Sequence, residues 1–140
     1  MSNSAYKILL VDDDHQMREM LTEFLKSMGH DVYEYADAQE AYEFVVKDMI
    51  NQETIEDRLD LLVTDLKMPN MNGIELIQNL KRKIPDVPAI LITAHGSIDS
   101  AIEATRQGVF AYIVKPFQLS EFEMQVNRAV EHGRLKRENQ

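Results

Sequence analysis

The sequence contains no cysteine, which excludes disulfides, thiolate metal sites and cysteine nucleophiles. No apolar run reaches the roughly 20 residues that would span a bilayer. The N-terminal stretch MSNSAYK has neither a basic n-region nor an apolar h-region, so no secretory signal is expected and a cytoplasmic location is the default. Positive charge is also short: 15 Lys and Arg face 24 Asp and Glu, for a formal net charge of −9. That balance argues against direct nucleic-acid binding, which needs a basic face. The C-terminal RAVEHGRLKRENQ departs from the trend, with Arg128, Arg134, Lys136 and Arg137 against Glu131 and Glu138. It is too short and too mixed in sign to act as a nucleic-acid arm.

What is present is an alternation of short apolar runs with amphipathic stretches. The 140 residues suit one domain large enough to bury a core without staples. KILLVD, DVYEYA, LDLLVTD, PAILITA and AYIVK read as five strands. Between and after them, apolar residues recur at helical spacing. Met17, Met20, Leu21, Phe24, Leu25 and Met28 mark the first helix, with Gly29 at its C-terminal end. Ala38, Ala41, Val45 and Met49 mark the second, and Ile74, Ile77 and Leu80 the third, which stops before Pro85. Ile98, Ala101, Ile102 and Thr105 mark the fourth, ended by Gly108. Phe122, Val126, Ala129 and Val130 mark the fifth, with Ser120 and Glu123 at capping-box spacing. Methionines at this spacing are expected in the core. The predicted architecture is α/β: a (βα)5 doubly wound parallel sheet of order 2-1-3-4-5, flavodoxin-like, with helices on both faces. The connection 47–60 is long and polar for such a fold. His15, His30 and His132 read as surface residues.

In an open parallel sheet, ligands bind beyond the carboxyl ends of the strands. There the first strand ends in Asp12, Asp13 and Asp14, the third in Asp65, the fourth in Thr93, Ala94 and His95, and the fifth in Lys115 and Pro116. Taken singly, each has a plainer reading. The three acids suit a helix N-terminus, Thr93 an ordinary strand position, Lys115 a solvated strand end and Tyr112 half-buried packing. Together they put several carboxylates, a hydroxyl and an ammonium on one rim. Clustered carboxylates repel unless a cation neutralises them. Hard oxygen ligands suit Mg²⁺, with Mn²⁺ as a substitute. Beside such a metal, Asp65 is either a third ligand or a nucleophile that forms an aspartyl phosphate.

The motifs ILLVDDD, VTDLKMPNMNG, ILITAHGSIDSAIEATRQG and AYIVKPF resemble those of two-component response regulator receiver domains. The likeness is strongest to the nitrogen-regulatory, sigma-54-activator class, and it runs from about Lys7 to Glu131. The resemblance implies that Asp65 is the phosphoacceptor and that Asp13 ligates Mg²⁺ directly. It also implies that Asp12 acts on the metal largely through water and that the Lys67 main-chain carbonyl completes the protein ligands. Thr93 is then the switch hydroxyl, Tyr112 the switch aromatic and Lys115 the phosphate contact, with Lys115–Pro116 cis. Small Ala94 leaves the approach open, Asp14 serves as a helix cap, and Lys67 and His95 flank the site and tune phosphoryl lifetime.

The implied function is a phosphorylation-controlled switch rather than an enzyme with an external substrate. A cognate sensor histidine kinase is the donor. The face made by helix 4, strand 5 and helix 5 is the output, acting on transcription, and a homodimer through that face is compatible with the charged last helix. The implied division is a tail over 1–6, the receiver over 7–131, and the end of the last helix leading toward an output domain over 132–140. The main alternative is a pseudo-receiver that binds partners without phosphorylation. An aspartyl hydrolase of the haloacid-dehalogenase kind fits less well: Asp12 and Asp14 match its acids, but Gln16 stands where Thr or Val belongs. A P-loop enzyme is excluded, since no GxxxxGK[ST] occurs.

Overall fold

Leucine and β-branched residues with no polar interruption form strands that must be covered on both faces. A computed structural model describes residues 5–49, 59–94, 96 and 98–138. The strands are β1 (Lys7–Val11), β2 (Asp31–Tyr35), β3 (Leu61–Asp65), β4 (Ala89–Thr93) and β5 (Ala111–Val114). All pair in parallel, as the alternation predicted, and in the order β2-β1-β3-β4-β5 expected of a flavodoxin-like sheet. Every residue of β3 and β4 is buried, whereas the edge strands β2 and β5 are only partly covered.

Five helices follow the strands: α1 (His15–Ser27), α2 (Ala38–Phe44), α3 (Gly73–Lys83), α4 (Ile98–Arg106) and α5 (Leu119–Glu138). Alternate strand residues feed two cores. Leu9, Val11, Leu62 and Leu91 pack with Ala41 of α2, Ile77 and Leu80 of α3 and Ala104 of α4. Ile8, Leu10, Val63 and Ile92 pack with Leu21 and Leu25 of α1 and Phe122 and Val126 of α5. The period of two along each strand thus places α2, α3 and α4 on one face and α1 and α5 on the other.

The helix ends follow local chemistry. Asp14 caps α1, its carboxylate accepting from the Gln16 and Met17 amides. Beyond α1, Gly29 takes φ +94°, the Gly29 amide donates to Lys26 O and the His30 amide to Leu25 O. That pattern satisfies two terminal carbonyls and uses the left-handed region glycine tolerates. Gly108 does the same after α4, with φ +77°.

Several expectations need correction. The reciprocal capping box is Asn72 with Glu75 at the start of α3, not Ser120 with Glu123. Helix α5 already begins at Leu119, with the Gln118 carbonyl accepting from the Glu121 and Phe122 amides. Fully buried Phe122, stacked against Phe117, sets that start. Helix α2 gives way to a wider π-type stretch over Val45–Met49. Not all methionines are core: Met20 and Met124 are exposed. Of α4 only Ala104 is buried, while Ile98 and Ile102 are 80% and 49% exposed. Most of the connection 47–60 lies outside the described residues.

His30 is buried rather than superficial. Its Nδ1 accepts from the Tyr6 amide at 3.3 Å, which leaves the proton of the neutral ring on Nε2, an atom without a partner among the described residues. Burial lowers its pKa from the ordinary 6.5, more than nearby Asp60 and Asp31 raise it. The unfolded chain therefore takes up a proton at higher pH than the folded one. Stability should fall as pH drops through 6.5 toward the lowered folded value. His30→Asn, which keeps an acceptor and cannot protonate there, should show a smaller drop in denaturant midpoint over that window than the native chain. Truncating a fully buried β3 side chain tests the core: Leu62→Ala should lower unfolding free energy by roughly 2–5 kcal/mol in denaturant titration.

Candidate functional site

Strand β1 ends at Val11, so Asp12, Asp13 and Asp14 step off its carboxyl end into the turn before α1. Asp65 and Thr93 are the last residues of β3 and β4, and Lys115 follows the last residue of β5. Because β1, β3, β4 and β5 are neighbours in that order, all four chain ends meet on one rim. Lys115 Nζ lies 3.1 Å from Asp12 Oδ2 and 3.4 Å from Asp65 Oδ2. Oxygens of Asp12, Asp13 and Asp65 all fall within 4.8 Å of one another. Asp12, Asp65 and Thr93 are buried, and Asp13 is exposed.

Local hydrogen bonds hold these groups in place. Every polar atom of Asp12 is engaged. Its amide donates to Tyr35 O, its carbonyl accepts from Arg18 Nη1, Oδ1 accepts from the Asp14 amide and Oδ2 faces Lys115. Asp65 Oδ1 accepts from the Leu66 amide at 2.7 Å, and its carbonyl accepts from the Thr64 hydroxyl at 2.9 Å. The chain then turns away through Pro69 and Asn70, the latter at φ 70°, and returns so that the Gly73 amide donates to Leu66 O.

One ammonium serves two nearby carboxylates, with a third beside them. Burial pushes the Asp12 carboxyl above its ordinary pKa; the Asp14 amide and Lys115 pull it back, and Asp65 pushes it further up. Burial would lower the Lys115 pKa, but the Asp12 and Asp65 carboxylates together raise it above its ordinary range. Lys115 therefore stays charged, while negative charge remains in excess at the rim. Oxygen donors only, clustered negative charge and a solvent-facing acid at Asp13 fit a hard divalent cation of the Mg²⁺ type.

The structure thus brings together Asp12, Asp13, Asp65 and Lys115, with Thr93 on the adjacent strand end. Asp14 is a helix cap, as expected, and the Lys115–Pro116 peptide is cis. Ala94 and Lys67 are exposed beside the rim, and His95 lies outside the described residues. Tyr112 is half-buried, its hydroxyl 2.6 Å from Ser100 Oγ on α4. Two neighbours carry no sequence signal: Arg18 is one polar position among many on α1, and Ser100 has no signature. Gly73 closes the MPNMNG stretch, which turns the chain away from Asp65.

A methyl group on Gly73 would sit 2.1 Å from the Asp65 carbonyl oxygen, a contact no side-chain rotation relieves. Gly73→Ala should therefore displace the β3–α3 turn. Overpacking of this kind costs about 1–3 kcal/mol, to be read as a lowered unfolding midpoint.

The family described as response regulator receiver domain matches residues 8–127. The DNA-binding transcriptional regulator NtrC of Azospirillum brasilense is 35% identical over 127 residues, which are 91% of this chain and 24% of that protein. The response regulator protein FleR of Pseudomonas aeruginosa is 35% identical over 114 residues, 81% of this chain and 22% of that protein. The chain thus spans about a quarter of the length of these relatives. Among solved structures, a response regulator receiver domain protein from Clostridium thermocellum superposes with a TM-score of 0.81 at 27% identity, covering 93% of this chain and 98% of that one. The family match over most of the chain and the acid cluster on the expected rim make the protein a member of the response regulator receiver family, with relatives of the NtrC and FleR kind.

Proposed function

We propose that Asp65 accepts a phosphoryl group from the phosphohistidine of a sensor kinase and that this event switches the domain. The carrying observation is the convergence of Asp12, Asp13 and Asp65 within 4.8 Å around an ammonium that reaches two of them. A carboxylate oxygen of Asp65 attacks phosphorus as the nitrogen–phosphorus bond of the donor breaks, and the imidazole departs with the electron pair and takes up a proton. Rigid β3 backbone aims the oxygen, and Lys115 stands ready to contact a phosphate oxygen. Asp13, Asp12 and the Lys67 carbonyl would hold Mg²⁺ or Mn²⁺, which when bound would neutralise charge developing on the phosphoryl oxygens.

After transfer, Thr93 moves toward the phosphoryl group and Tyr112 turns inward, leaving Ser100. The α4–β5–α5 face then changes, a two-state element biased by a local charge event. Exposed Ile98, Ile102 and Val114 supply apolar surface there for a partner or a second copy of the chain. Output onto transcription is supported by the naming of the relatives as transcriptional regulators. The net charge of −9 supports a receiver that does not itself touch DNA. Residues 7–131 form the receiver, 1–6 a preceding tail and 132–140 the path toward an output domain, in the cytoplasm. Among the described residues no helix is long and apolar enough to cross a membrane.

Intact-protein mass after incubation with acetyl phosphate and Mg²⁺ tests this directly. One phosphoryl group should be gained, and none in Asp65→Asn or without divalent metal. No gain by the native, folded chain would move the assignment to a pseudo-receiver that works by docking alone or to a receiver that accepts only from its own kinase.

A further inference from the structure

Arg18 is the one long cation of α1 that turns back beneath the acidic loop. Its side chain is only 15% exposed. Nη1 donates to the Asp12 carbonyl at 2.7 Å, and Nε donates to Glu34 Oε1 at 3.2 Å. Nη2 lies 3.2 Å from His15 Nδ1. The guanidinium thus ties together the end of β1, the first turns of α1 and the neighbouring strand β2. A guanidinium suits this task because its donors form a rigid planar fork.

The bonded carbonyl is placed tellingly. The Asp12 C=O and the Asp13 N–H share one rigid peptide plane. Fixing that carbonyl fixes the origin from which the Asp13 side chain departs. Asp12 is already held by Tyr35, Asp14 and Lys115, whereas Asp13 is exposed. The plane between them is therefore the lever on Asp13 that the fold provides.

We propose that Arg18 is a positioning residue that sets the Asp12–Asp13 peptide plane and so orients the Asp13 carboxylate for a divalent cation. This rests on the metal-binding reading of the rim. Charge and geometry predict opposite signs. Removing a cation from near a cation site should tighten metal binding if Arg18 acts only through charge. Removing a positioning group should weaken it, since outer partners of metal ligands typically govern on the order of tenfold in affinity.

The test is Mn²⁺ titration followed by electron paramagnetic resonance on the native chain, Arg18→Met and Arg18→Lys. Amide hydrogen exchange at Asp14 is measured on the same metal-free proteins. Arg18→Met should weaken Mn²⁺ binding by roughly tenfold and speed exchange at Asp14, whose amide bonds Asp12 Oδ1. Arg18→Lys keeps the charge without the fork and should fall between the two. Unchanged or tighter binding by Arg18→Met overturns the proposal; if that variant does not fold, unchanged binding by Arg18→Lys does so. If the native chain binds no Mn²⁺, the metal-binding reading fails on its own. Exchange at Asp14 then decides whether Arg18 holds the loop: acceleration supports it and native-like exchange overturns it.

Discussion

Lys115 Nζ stands between two buried carboxylates that reach it from different strands, at 3.1 Å from Asp12 and 3.4 Å from Asp65. Remove the ammonium and two negative charges would face each other in a poorly solvated rim with nothing to offset their repulsion. The pair geometry depends on strand order. Asp12 follows β1, Asp65 ends β3, and Lys115 arrives from β5 two strands away from β3. The lysine must therefore reach across the end of β4, whose last residue is Thr93. That crossing places Thr93 on the strand end between those of Asp65 and Lys115.

Rigidity is distributed unevenly around this point. Strands β3 and β4 are buried along their whole length, so Asp65 and Thr93 are carried on the least deformable backbone. The groups that complete the rim, Asp13, Lys67 and Ala94, sit on exposed turns. Hydrogen bonds to backbone, from Arg18 to Asp12 O and from Gly73 to Leu66 O, compensate for the lack of packing there. The site is thus a packed half that aims and a hydrogen-bonded half that adapts.

Much of this was legible in the sequence. The five strands follow from apolar runs that end in polar residues, whereas their order, and with it the convergence of Asp12, Asp13, Asp65, Thr93 and Lys115, comes from the doubly wound fold and not from any one run. What escaped has physical causes. His30 looks superficial because histidine is often exposed, yet the turn after Gly29 folds it against Tyr6. Ser120 and Glu123 have the spacing of a capping box, but the aromatic anchor Phe122 sets the start of α5 earlier. The apolar period of α4 predicted a buried face, and spacing alone cannot say which side a helix turns to the sheet. Arg18 and Ser100 act through hydrogen bonds of individual side chains, which leave no periodic trace.

Helix α4 contributes one buried side chain, that of an alanine, whereas α1, α3 and α5 are fastened by leucine, isoleucine or phenylalanine. An alanine offers little apolar area to lose on detachment. Local opening of α4 is therefore the least expensive excursion the described helices offer, short of unfolding the domain. The Ser100 hydroxyl, 2.6 Å from the Tyr112 hydroxyl, attaches it to β5. A helix so lightly moored does not need to be driven by a large force. An opening of that kind draws on little apolar area, so the position of α4 responds to small changes in the free energy of its surroundings.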